Sequence, residues 1–133
     1  MRGDSWHREP PLTARTVEEV DELGWAIHDC WIDVEALTPE RPPELEGKIV
    51  SYRLPLALDD DQRKRLPDSE WELVIRNPNS LRIEDKALIS IYQIWKVDVA
   101  PDRVTVESAA PLTIEIRVDS LDVSVEARAG GIS

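Results

Sequence analysis

The most restrictive feature of the chain is a change of hydrophobic period near residue 28. Val17, Val20, Leu23 and Ile27 recur at helical spacing, with Glu18, Glu19, Asp21 and Glu22 filling the opposite side. Cys30, Ile32, Val34 and Ala36 then alternate with Trp31, Asp33 and Glu35, the two-residue repeat of a half-buried strand. A helix repeats every 3.6 residues and a strand every two, so neither segment can adopt the other's structure and still bury one face. The chain must therefore leave a short helix and enter extended structure within a few residues.

Thr16-Val17-Glu18-Glu19 fits a capping box, which starts the helix at Thr16 or Val17 and sets acidic side chains against the positive end of its dipole. Gly24 is the natural stop, taking the left-handed conformation just past the last turn. The alternative has the helix running on to His28, since an internal glycine costs only about 1 kcal/mol.

Downstream segments continue the two-residue repeat. Thr38 to Gly47 carries Pro39, Pro42 and Pro43 and reads as a loop. Val50, Tyr52, Leu54, Leu56 and Leu58 share a face, with Pro55 assigning the far end of that run to an edge or bulge. Trp71, Leu73 and Ile75 follow, then Asn77-Pro78-Asn79-Ser80 as a tight turn and a short strand around Leu81 and Ile83. In the longest apolar run, Ile89, Ile91, Trp95, Val97 and Val99 share a face interrupted by Gln93. The last third reads as a meander: Val104 and Val106, then Ile114, Ile116 and Val118, then Leu121, Val123, Val125 and Ala127, with Asp119-Ser120 as a hairpin between the last two. The expected fold is α+β, with one N-terminal helix packed on an antiparallel sheet or meander of about six to eight strands. At 133 residues and 41% hydrophobic content it forms one domain, 1–133, with 1–13 a loose leader and 14–133 globular.

Charge and length narrow the function. The net charge of -11, from 27 acidic and 16 basic residues, disfavours nucleic acid, whose phosphates need clustered Lys and Arg. No run reaches the ~18 apolar residues needed to span a bilayer, and the N-terminus lacks the apolar core of a signal peptide. Together with a lone cysteine, this points to the cytoplasm.

No complete catalytic, cofactor or metal motif is present. His28-Asp29 is reminiscent of metal-dependent phosphohydrolases, but His7 and His28 are the only histidines and His7 lies in the leader. His28 and Cys30 would share a strand face if the strand began by Ile27, which makes a base and thiolate conceivable. Burial works against that pair, because it raises a thiol pKa. The simpler reading is a boundary device, in which Asp29 accepts backbone amides and the imidazole bonds a nearby carbonyl. Asp59, Asp61 and Glu70 stand at calcium-loop positions, but Arg63 and Lys64 occupy the fifth and sixth places, where a ligand and a glycine are required. For binding, Trp31 is the leading anchor, with Asp33 and Glu35 as its polar rim.

The segment Trp25, Ile27, His28, Asp29, Cys30, Trp31, set after a capped helix and before a run of strands, resembles small bacterial proteins with a His-Asp-Cys-Trp segment. More remotely, it resembles immunity-type proteins of bacterial toxin systems. The resemblance implies a non-catalytic, protein-binding module that acts by occluding a partner's surface, and the acidic balance suits a basic partner. Two alternatives stand beside it. One is a small hydrolase or metal-dependent enzyme using His28 with Asp29 or Cys30. The other is a structural domain that dimerises through a sheet edge.

Overall fold

The computed structural model describes residues 11–58, 71–109 and 111–127. His7 and the Asp59–Glu70 segment lie outside the described residues. Helix α1 spans Val17–Ala26, and the extended Thr16 caps it by accepting the Glu19 amide on Oγ1 at 3.1 Å. The Glu19 carboxylate reaches back to the Arg15 amide at 2.9 Å, one residue earlier than the reciprocal box requires. Gly24 does not end the helix. It is a buried interior residue, and a β-carbon there would lie 2.9 Å from Val97 Cβ, so the glycine serves close approach to the sheet. The left-handed residue that turns the chain out of the helix is Asp29, with φ of 73°.

Ten strands are found among the described residues, arranged in two five-stranded antiparallel sheets where one sheet of six to eight strands was expected. They are β1 (Leu12–Ala14), β2 (Trp31–Asp33), β3 (Thr38–Glu40), β4 (Ser51–Leu56), β5 (Trp71–Arg76), β6 (Pro78–Asp85), β7 (Ile91–Ala100), β8 (Arg103–Ser108), β9 (Leu112–Val118) and β10 (Val123–Ala127). One sheet has the order β1-β10-β5-β4-β3 and the other β2-β7-β8-β9-β6. A two-bond bridge between Trp31 and Ala57, at 2.8 and 2.9 Å, joins the sheets at a corner. The broad α+β reading holds.

Several connections differ from expectation because pairing is long-range. Leu12 and Thr13, the end of the expected leader, form β1 with Ala14, and the three residues pair with Val125, Ser124 and Val123. Asp119-Ser120 does not close a hairpin: β9 and β10 lie in different sheets, and the chain crosses between them there. Asn77, with φ of 58°, likewise carries the chain from β5 into β6 in the opposite sheet, and Pro78 to Ser80 belong to β6. Pro55 pairs in register with Glu72. On β4's second side it falls between the β3 pairing, which ends at Arg53, and the Ala57 bridge, so its missing N–H interrupts no strand pair there.

The interior lies between the sheets. Leu54, Leu56, Trp71, Leu73, Ile75, Val123 and Val125 face Ile32, Tyr92, Ile94, Val104, Val106, Ile114 and Ile116, and Val20, Leu23 and Ile27 of α1 join the same core. Strand β7 does not keep one alternation. Between Ile94 and Lys96 its register with β8 shifts, leaving Trp95 as the extra residue of a bulge. Tyr92 and Ile94 are inward before the bulge, and Val97 packs against the core after it, while Trp95 is thrown outward. The expected Ile89-to-Val99 face is therefore not the core face before the bulge: Ile91 and Trp95 alternate outward against Tyr92 and Ile94, Ile89 is exposed, and only Val97 and Val99 of that set pack on the core.

The outer face of the first sheet is charged and knitted together. Arg53 contacts Glu40, Glu72 and Glu126, and Arg76 contacts Asp122 and Glu126, above a fully buried Val74. Ser51 and Ser124 are buried within this network and bond Glu40 and Glu126. The arginine stems cover apolar surface while their heads satisfy the carboxylates.

Candidate functional site

The end of α1 and the bulge of β7 meet at the surface. Trp25 lies in the last turn of the helix, and His28 lies in the turn that follows it. Their rings stack at 5.4 Å between centroids and 27° between planes. Trp95 is the second aromatic neighbour of the imidazole, its ring centroid 6.0 Å away and its plane tilted by 48°. The three rings line a cleft of about 380 Å3 with Asp21, Lys96, Val97 and Asp98 at its walls and rim. Trp25 and Trp95 are 47% and 57% exposed.

Each ring is held by a feature of the backbone. Gly24 lets α1 approach Val97, which brings Trp25 beside β7. The left-handed Asp29 donates its amide to Ile94 O at 3.0 Å, and its carbonyl accepts from Gln93 Nε2 at 3.0 Å. The post-helical turn is thus fastened to β7 one residue before the bulge, and the bulge presents Trp95 to His28. The Asp29 carboxylate contacts His28 Nδ1 at 3.2 Å. That contact replaces the expected arrangement, in which the carboxylate caps backbone amides and the imidazole bonds a carbonyl.

Cys30 points away from this cleft. It is 2% exposed in the core, and burial, with a smaller contribution from the Asp29 charge, pushes its thiol up to about 12. His28 precedes β2 and is not on a strand face with Cys30, because β2 begins only at Trp31. The geometry therefore keeps the thiol protonated and does not join it to a base.

Trp31, Asp33 and Glu35 do not form a single alternating edge. Trp31 is half-buried in β2 opposite Gln93 and lines a shallower depression with Ile89, Ile91 and Trp95. The strand ends at Asp33, whose Oδ1 accepts the Glu35 amide at 3.0 Å and caps a 3-10 turn over Val34–Ala36. Glu35 accepts a hydrogen bond from Ser90 Oγ at 3.1 Å. Of the residues singled out in the sequence, Trp25 and His28 come together at the cleft, while Asp29, in contact with His28, and Trp31 border the neighbouring depression. Trp95 was missed, because its position in the apolar repeat assigned it to the core.

Among the described residues no group of three or more His, Cys, Asp or Glu side chains is placed to hold a metal ion. No helix there is long and apolar enough to cross a membrane. Comparison with protein-family models, with curated proteins and with solved structures finds no match.

Proposed function

We propose that the protein is a non-enzymatic binding module that takes a basic segment of a partner protein into the Trp25–His28–Trp95 cleft. The observation that carries this reading is the exposure of two tryptophans, 47% and 57%, whose rings lie 5.4 and 6.0 Å from one imidazole and line a 380 Å3 cavity with it. Exposed indoles forgo about 25 cal/mol per Å2 of apolar area that a partner would cover. An arginine guanidinium stacks on an indole face and brings its positive charge to the ring's negative quadrupole. Asp21 of α1 and Asp98 of β7, the latter paired with Lys96 at 3.5 Å, line the cleft and supply complementary charge. The action is occlusion of the partner's surface, in the cytoplasm, and an immunity-type role is one instance of it. The hydrolase alternative draws on the His28–Asp29 contact, but Cys30 contributes nothing to it from the core.

The test is a tryptophan-fluorescence titration with a short arginine-rich peptide and the same peptide carrying citrulline. Saturable binding of the first, weakened by salt and by Trp95→Ala at least tenfold with an unchanged melting temperature, is the expected result. Equal response to both peptides, or an undiminished response from Trp95→Ala, overturns the reading.

A further inference from the structure

Strand β6 is the last strand of its sheet, and among the described residues no strand pairs with its second side. It is eight residues long, whereas the terminal strands β1, β2 and β3 have three each. Leu81 and Ile83 face the core side, opposite the buried Ile116 and Ile114 of β9, yet Ile83 is 38% exposed at that edge. Arg82 and Glu84 are on the outer side, opposite Glu115 and Thr113, and within one chain Arg82 pairs with Glu84 at 2.5 Å and with Glu115 at 3.9 Å. The only irregularity in the strand lies at Pro78–Ser80, so Leu81 to Asp85 offers a regular edge without a proline or a bulge. Regular open edges of this kind recruit another strand.

We infer that two copies of the chain join through their β6 edges into one continuous antiparallel sheet, with Ile83 of each copy facing Ile83 of the other on the symmetry axis. The register follows from two constraints. A two-fold axis perpendicular to the sheet keeps core faces together, so residues pair only with residues of the same side, and paired numbers differ by an even count. Charge then chooses among the registers centred on this half of the strand. Centring on Arg82 sets two arginines opposite each other, and centring on Glu84 sets two glutamates opposite each other and Arg82 against Lys86. Centring on Ile83 sets Arg82 of each copy against Glu84 of the other, twice, and covers the exposed Ile83 pair. It also sets Leu81 against Asp85. This surface is separate from the aromatic cleft, so neither inference rests on the other.

Sedimentation over a wide concentration range, with circular dichroism to confirm folding, tests the inference. The wild type dimerises, Arg82→Glu and Glu84→Arg each weaken the dimer by about tenfold, and an equimolar mixture of the two variants restores it, which the Arg82–Glu84 pair within one strand does not do. Ile83→Cys gives an oxidised covalent dimer, because facing β-carbons lie within about 5.5 Å. Ser80→Cys does not, because its two copies would stand about 20 Å apart along the strands. Cys30 is buried and does not compete. A wild type that stays monomeric at high concentration, a dimer indifferent to both exchanges, or cross-linking at Ser80→Cys rather than Ile83→Cys overturns it.

Discussion

Gly24 of the helix and Val97 of β7 approach so closely that no side chain fits between them: a β-carbon on Gly24 would lie 2.9 Å from the Val97 Cβ. The helix gives up about 1 kcal/mol of propensity by having glycine there. In return it reaches β7, and the aromatic cleft is formed where the two elements touch.

Gly24→Ala sets those two effects against each other. The clash is with a Cβ fixed to the sheet backbone, so rotation of the valine does not relieve it, and overpacking of this kind costs about 1–3 kcal/mol. The expected net effect is a loss of roughly 1 kcal/mol in urea unfolding, against the helix-propensity gain. Adding Val97→Ala leaves the Cβ in place but frees the space around it, and is expected to recover little. A stabilised Gly24→Ala protein would show that α1 can move away from β7.

The thiol of Cys30 is expected to be inert in the folded protein. Its pKa of about 12 leaves little thiolate at pH 8, and 2% exposure denies reagents access. Labelling by a thiol-specific disulfide reagent should proceed at the rate of unfolding and become fast in denaturant. Cys30→Ala should leave the fluorescence titration with the arginine-rich peptide unchanged. Rapid native-state labelling would contradict the assigned environment.

The carboxylates give stability a pH dependence of two signs. At Glu126 burial raises the pKa, but hydrogen bonds from Arg76 and Ser124 and the charges of Arg76 and Arg53 outweigh it, so the folded value lies below the unfolded one. Glu40 is lowered in the same sense, chiefly by its bond from Ser51. Their contribution is present above the unfolded carboxyl pKa of about 4.3 and is lost as pH falls through the folded value. Glu107 is the opposite case: burial and then Asp98 raise its pKa, so its contribution is present below the unfolded value and is lost as pH rises through the folded one. Glu126→Gln should therefore cost about 1 kcal/mol at pH 7 and progressively less toward pH 3. Glu107→Gln should stabilise at pH 7 and become neutral in acid. Denaturant titrations at the two pH values check both, and parallel curves for either variant and wild type would refute the assignment.

Much of the secondary structure was legible because it is written locally. Thr16 needs only Glu19 to cap the helix, and the inward sets Tyr52-Leu54-Leu56, Trp71-Leu73-Ile75 and Ile114-Ile116-Val118 show their alternation without reference to any partner. Trp25, His28 and Asp29 were legible as a cluster for the same reason, being adjacent in sequence. Trp95 was not, since a bulge is defined by a mismatch with the strand beside it, and the β7 residues carry no sign of where β8 falls out of step.

By itself the sequence determined the period of each segment, and hence one short acidic helix followed by strands with identifiable core faces. Only the tertiary structure decided that β9 and β10 part into different sheets, that Gly24 is a contact and not a stop, and that Trp95 turns outward to meet His28. The physical reason is range. Periodicity and capping depend on residues within a turn or two of one another, while sheet membership, bulges and helix-to-sheet approach depend on which distant segment supplies the neighbouring surface.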